Sequence, residues 1–160
     1  MNMSLEIRSA TIDNLEDIQI LNLLLFKKEY KEFDNTLNCE WTFSEDGKNY
    51  FKNRITENDG CAFIALNNDK IIGYLVGKIH EEKVPCRILP LFAELENMLI
   101  LEEYRGQGTG DKLYLAFVRW CKSKEVGRIR VVASAKNTTA INFYRKNGLV
   151  DYDLILESDI

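Results

Sequence analysis

One unit constrains the fold more than any other: an apolar strand, a glycine turn, an amphipathic helix and a second strand in succession. "FAELENMLIL" reads as the strand. Gly106, Gly108 and Gly110 follow Arg105, and a helix pattern runs from about Gly108 to Val126, with Leu113, Ala116 or Phe117, and Trp120 or Cys121 on one stripe. "GRIRVVAS" then reads as the next strand. A strand–helix–strand crossover is right-handed and makes its two strands parallel. Upstream, "LEIRSAT" alternates as a strand. "DNLEDIQILNLLLFKKEYKEF" is a long helix with Asp13 as its cap, and "SEDGKNYFKNRITEN" is a second helix weakened by Gly47. "GCAFIALN" and "KIIGYLVGKIH" form a hairpin across "NND". Downstream, "NTTAINFYRKN" is a short helix capped by Asn137 and stopped at Asn147-Gly148, and "LVDYDLILE" reads as a last strand. The order predicts an α/β (α+β) chain, residues 1–160 forming a single domain, with four helices flanking a mixed sheet that is antiparallel in its hairpin portion.

Composition excludes several classes. The 160 residues are 46% hydrophobic and 29% charged, enough for one core. A net charge of −4 carries no basic footprint for nucleic acid. The longest apolar run of the first helix, "LLLF", cannot span a bilayer, and "MNMSLEIRSATID" has no leader pattern, so a cytoplasmic protein is expected, with no membrane partner. Four cysteines lie in no ligand spacing and read as reduced thiols, and His80 is the sole histidine, so no metal site is expected.

The glycine turn fails both common nucleotide patterns. Counting a Walker loop from Gly106 puts Asp111 at the second glycine and Leu113 at the Ser/Thr. A dinucleotide fingerprint places Asp111 at its third glycine. An anion still suits the turn. Glycine lets backbone approach a ligand, the helix start offers free N–H groups, and Arg105 adds a cation.

Arg105-Gly106-Gln107-Gly108-Thr109-Gly110 resembles the Q/R-x-x-G-x-G/A signature of the GNAT superfamily of acyl-CoA-dependent N-acetyltransferases. About thirty residues on, Asn137, Ala140, Phe143, Tyr144 and Gly148 resemble that superfamily's N-x-x-A-x-x-F-Y-x-x-x-G pattern. The resemblance extends over essentially the whole chain. It implies a central, mostly antiparallel mixed sheet whose parallel strands 4 and 5 splay apart. Acetyl-CoA would be the acyl donor, its pyrophosphate on the turn from Arg105 to Gly110, its pantetheine arm along the backbone of Leu99, Ile100 and Leu101, with Asn137 as a further contact. Tyr144 would be the general acid that protonates the departing sulfur.

Glu94 and Glu96 share one face of the fourth strand by period-two geometry. Glu96 stands nine residues before Arg105, as does a glutamate linked to deprotonation in spermidine/spermine-type acetyltransferases, and is the expected base. Glu94 is expected to bind a cationic acceptor. The acceptor site implied by the resemblance includes "KEYKEFDNTLNCEWTF", where Glu29 and Trp41 are candidate contacts through charge and cation–π attraction. No histidine neighbours the cysteines in sequence, so direct attack in a ternary complex is expected over a ping-pong route. The acceptor expected is a small-molecule primary amine. A protein N-terminus or lysine, and a non-catalytic acyl-CoA sensor, are the alternatives. One clear strand after the last helix is compatible with sheet completion across a homodimer.

Overall fold

The computed structural model describes residues 5–160. Five strands lie side by side in sequence order: β1 (Leu5–Ser9), β2 (Gly60–Asn67), β3 (Lys70–His80), β4 (Phe92–Ile100) and β5 (Arg128–Val131). The first four are antiparallel to their neighbours and β5 runs parallel to β4, as the crossover rule requires. The helices are α1 (Leu15–Glu32), α2 (Glu45–Thr56), α3 (Thr109–Ser123) and α4 (Thr138–Lys146). Among the described residues no helix is long and apolar enough to cross a membrane.

Strand alternation divides the core into two layers. Ala62, Ile64, Leu66, Tyr74, Val76 and Leu99 pack under Ile18, Leu21 and Leu25 of α1 and Phe51 of α2. Cys61, Phe63, Ala65, Ala93 and Leu95 pack under Leu113, Phe117 and Cys121 of α3. A buried polar chain fixes α1 on its layer. Gln19 Nε2 donates to the Thr42 carbonyl at 2.8 Å, Thr42 Oγ1 to Asn22 Oδ1 at 2.7 Å, and Asn22 Nδ2 to Tyr74 Oη at 3.0 Å. Gln19, Asn22, Thr42 and Tyr74 thereby partner one another, which matters because an unpaired buried polar group is costly.

The feature that shapes the site is a β-bulge in β4. Val76 pairs with Asn97 and Gly77 with Leu95, so Glu96 is an extra residue on the bulged strand. The alternation of β4 flips there. Ala93 and Leu95 face α3, whereas beyond the bulge Leu99 faces α1 while Met98 and Ile100 turn to the α3 layer. Gly77, opposite the bulge, lets the Phe117 ring and the Glu94 carbonyl approach closely, since a Cβ there would stand 2.6 and 2.7 Å from them. Pairing of β4 with β5 ends at Leu95–Val131, one residue before the bulge.

Helix α2 holds the bulge in place. Arg54 Nε and Nη2 donate to the two carboxylate oxygens of Glu96 at 2.5 and 2.8 Å, and Tyr50 Oη donates to the same carboxylate at 2.9 Å. Asn97, the next residue, donates to Tyr50 Oη at 3.0 Å. The Arg54 and Glu96 side chains are only 10% and 14% exposed, so the ion pair is largely shielded from solvent screening.

Three expectations are adjusted. Asp13 does not cap α1: it sits in a 3-10 turn, Ile12–Asn14, and Asn14 Oδ1 accepts from the Thr11 amide at 3.1 Å. The fifth strand stops at Val131 rather than near Ser134, because its partner β4 has turned away. Residues 149–160 form no strand, although their pattern is strand-like.

Arg54→Met should leave the Glu96 carboxylate buried without its cation and cost about 3 kcal/mol of stability. Urea unfolding would check this, and a loss under 1 kcal/mol would show that the bulge does not depend on the pair.

Candidate active site

Past Leu95 and Val131, the β5 side of β4 is open. Backbone direction decides what that opening offers. The Leu101 amide donates to the Ile72 carbonyl at 2.9 Å, and the Leu101 carbonyl accepts from the Tyr104 amide at 2.9 Å. Antiparallel pairing alternates. With Tyr74 opposite Leu99, the peptide groups of Leu99 and the amide of Leu101 therefore point to β3. Those of Met98 and Ile100 point into the opening. This corrects the expectation for Leu99, Ile100 and Leu101: of the three, only Ile100 turns its backbone to the opening, and Met98 joins it. The register from the bulge is what identifies Met98, and no single-residue signal in the sequence carries it.

The glycine turn closes the top of this opening. Gly106 and Gly108 have φ of +71° and +79°, and nothing lies within 4 Å of where a Cβ would stand on either. The left-handed backbone is the reason for glycine, and the surface around it is open. Gly108 is the N-cap of α3 and supplies no capping side chain. Lys112 N–H already bonds the Gly108 carbonyl at 3.1 Å, so the amides of Thr109, Gly110 and Asp111 are the ones a helix start leaves for an anion. Arg105 Nε donates to the Ile100 carbonyl at 2.9 Å, bracing the end of β4. Among the described residues its outer guanidinium nitrogens have no protein partner. Gln107 reaches back to the Glu103 carbonyl at 3.3 Å. These features fit a pyrophosphate.

Helix α4 covers the α3 side. Asn137 Oδ1 accepts from the Ala140 amide at 3.1 Å, the cap its position predicts. Phe143 packs against Gly110 and lies edge-on to Tyr114, with ring centroids 6.3 Å apart. Tyr144 is half-buried in the same apolar cluster as Ile100 and Val131, the last residues of the two diverging strands. Burial first, then the negative charge of Glu29 and the nearby Tyr114, hold the Tyr144 phenol above its ordinary value. It therefore carries its proton throughout the neutral range.

Glu29 continues the inward stripe of α1 after Ile18, Asn22 and Leu25. It is half-buried where the apolar stripe ends. Burial pushes its carboxyl up, Lys28 pulls it back in part, and Asp34 adds to the rise. Its charge is felt at both Tyr74 and Tyr144.

The other predicted contacts are placed differently. Both carboxylate oxygens of Glu96 are taken by Arg54 and Tyr50, which counts against Glu96 as the base. Glu94 lies on the closed stretch of sheet, between Lys78 and Arg130 in register. Trp41 is stacked on Phe26 at 5.9 Å and meets Tyr50 edge-on at 5.2 Å, so its ring is used in packing. Trp41 is therefore committed to packing rather than to an open acceptor surface. Instead α1 and the end of β4 bound a cleft of about 520 Å³ with Lys27, Lys28, Lys31 and Arg105 against Glu32, Glu102 and Glu103. Burial pushes the Cys61 thiol well up and the Cys121 thiol up to about 12, so neither offers a thiolate nucleophile.

Residues 25–149 match the Acetyltransferase (GNAT) family, and the chain belongs to that family. A Bacillus subtilis (strain 168) protein named for ribosomal protein bS18-alanine N-acetyltransferase activity is 29% identical over 104 residues, 64% of this chain and 62% of that protein. N-alpha-acetyltransferase 30 of Schizosaccharomyces pombe is 31% identical over 93 residues, 57% of this chain and 58% of that protein. The chain thus spans about three fifths of the length of these curated relatives. Among solved structures, a tetramutant of the BH1408 protein from Bacillus halodurans superposes with a TM-score of 0.85 at 18% identity, covering 97% of this chain and 99% of that one. An aminoglycoside N-acetyltransferase in complex with CoA gives 0.78 at 18% identity, covering 100% of this chain and 97% of that one. At such identities the likeness is one of fold.

Gly108→Ala would force a left-handed L-residue and should cost about 1–2 kcal/mol. Coenzyme A affinity measured by calorimetry should fall at least tenfold, because the amides it aligns move. Unchanged affinity would take the turn out of the binding site.

Proposed function

We propose that this chain transfers an acetyl group from acetyl-CoA to a primary amine of a small molecule, by direct attack in a ternary complex. The observation that carries this reading is the opening between β4 and β5. It presents Met98 and Ile100 backbone on one side, the Gly106–Asp111 amides at its top, and the protonated Tyr144 phenol at its α4 wall. The backbone of Met98 and Ile100 pairs with the amide-bearing arm. Arg105, Gly106, Gln107, Gly108, Thr109 and Gly110 hold the pyrophosphate, and Asn137 fixes the start of α4 beside it.

In the transfer the amine nitrogen forms a bond to the acetyl carbon and the carbon–sulfur bond breaks. The Tyr144 hydroxyl supplies a proton to the departing sulfur. The nitrogen loses its proton to a carboxylate or water. We assign this carboxylate role to Glu29, which continues the inward stripe of α1, whose charge is felt at Tyr144, and which has no ion-pair partner among the described residues. Glu96 stays with Arg54 and Tyr50 and keeps the bulge. A cleft with four cations and three acids gives a polycation little advantage. An acceptor that carries a carboxylate beside its amine, as an amino acid does, suits this mixed cleft better than a polyamine or amino sugar. An α-amine is also easier to use, because it ionises near 8 rather than near 10. That same property favours a protein N-terminus as the second reading, which the names of the curated relatives support.

Thiol release from acetyl-CoA across amino acids, peptides, polyamines and aminoglycosides tests the reading. Small α-amines should give the highest kcat/KM. Peptides alone turning over would favour the second reading, and no release with any acceptor, with coenzyme A still bound, would favour a sensor. Tyr144→Phe should lower kcat by about 10²-fold or more with coenzyme A affinity unchanged.

Glu29 yields a prediction with a definite sign. Its folded-state pKa is raised above the ordinary 4.5, so ionising it in the folded chain costs stability as pH rises through that raised value. Glu29→Gln should therefore leave the melting temperature at pH 7 equal or higher while kcat/KM falls and its acid limb disappears. A lower melting temperature with an unchanged pH profile would assign Glu29 to packing alone.

A further inference from the structure

The contacts that fix the β4 bulge form a chain with a set direction. Arg54 donates twice to the Glu96 carboxylate, which as an anion can only accept. Tyr50 has one hydroxyl proton, and it goes to the same carboxylate at 2.9 Å. Burial first, then the Glu96 charge, hold the Tyr50 phenol above its ordinary value, so that proton stays in place. Toward its other neighbour the Tyr50 oxygen can therefore only accept, and Asn97 Nδ2 meets it at 3.0 Å. The amide nitrogen of Asn97 is thus the end that faces α2, and its carbonyl oxygen, Oδ1, is turned the other way. Among the described residues Oδ1 has no hydrogen-bond partner, and it is not sealed from solvent.

Asn97 stands where such an oxygen can be used. It precedes Met98, whose peptide groups turn away from β3 toward the opening. Its side chain lies on the face of β4 that α1 and α2 cover, about 7 Å along the strand from Leu99. Leu99 in turn lines the cleft between α1 and the end of β4. A half-buried carbonyl oxygen without a partner suits an N–H donor and disfavours a carboxylate or phosphate in its place. The number of donors matters as well. A neutral primary amine has two N–H groups and a lone pair. It can give one N–H to Asn97 and the other to a base, and keep the lone pair for the acetyl carbon.

We propose that Asn97 Oδ1 accepts a hydrogen bond from the acceptor nitrogen and thereby selects a primary amine. This assignment rests on the acetyl transfer proposed above. Asn97 neither gains nor loses a proton in it; the hydrogen bond aims the nitrogen lone pair at the thioester carbon. Tyr50 is a positioning residue, because it acts on the amine only by setting which end of the Asn97 amide is left free.

Steady-state kinetics on the full chain test this, with the amine of highest kcat/KM among the amino acids, peptides, polyamines and aminoglycosides named above. Asn97→Ala should raise the acceptor KM by about tenfold or more, with coenzyme A affinity by calorimetry unchanged. The parent should prefer the primary amine to its N-methyl counterpart, which has one N–H when neutral, and Asn97→Ala should narrow that preference. Tyr50→Phe keeps the ring and should narrow it too, with a smaller rise in KM. The double variant should lose no more than Asn97→Ala alone, because Tyr50 acts through Asn97. An unchanged acceptor KM and amine preference in both single variants, a matching loss of coenzyme A affinity, or losses that add in the double variant would each overturn the proposal while the transferase reading stands. A parent chain that acetylates no amine would remove both.

Discussion

The ion pair between Arg54 and Glu96 is the contact on which the rest of the site depends. It pulls the extra residue of β4 toward α2, and Tyr50 and Asn97 lock the adjoining turn of backbone. Past that point β4 cannot stay in register with β5, and the two strands part. A sheet normally spends its backbone groups on its neighbours. Here a bulge leaves the Met98 peptide groups and the Ile100 amide turned away from β3, the Ile100 carbonyl being held by Arg105, while β3 pairing resumes at Asn97. A ligand with an amide-bearing arm can then take the place of a strand.

The glycine turn and α4 gain their meaning from that parting. A helix N-terminus alone is a common anion site. Placed beside the end of β4, it can serve as the upper end of a longer site for an extended molecule with a phosphate group. Arg105 links the two parts, since its Nε holds the Ile100 carbonyl while its outer nitrogens face outward. Glu29 of α1 and Tyr144 of α4 lie near enough for the carboxylate charge to be felt at the phenol, and burial moves each toward its protonated form.

Much of the fold is legible in the sequence because period-two and 3.6-residue patterns are strong in "GCAFIALN", "KIIGYLVGKIH" and the helix after Gly108. The parallel pair follows from the crossover. The turn from Arg105 to Gly110 and the cap at Asn137 are local chemistry, so they too can be seen in the string of residues. What could not be seen depends on partners distant in sequence. The commitment of Glu96 requires Arg54, 42 residues away. The use of Trp41 in packing requires Phe26 and Tyr50. The choice of Ile100 and Met98 over Leu99 and Leu101 requires the register of β3 on β4. The segment after Leu149 alternates like a strand but joins no ladder among the described residues, and a pattern cannot show whether a neighbouring strand exists.

The central claim is that β4 past its bulge and the start of α3 form one continuous binding site for acetyl-CoA. Residue-resolved amide exchange with and without coenzyme A tests it most directly. The amides of Met98, Ile100, Thr109, Gly110 and Asp111 should slow together by at least tenfold, while those of Leu99 and Leu101, already bonded to β3, should change little. Saturating coenzyme A that protects the α3 start but leaves Met98 and Ile100 unchanged would contradict the account.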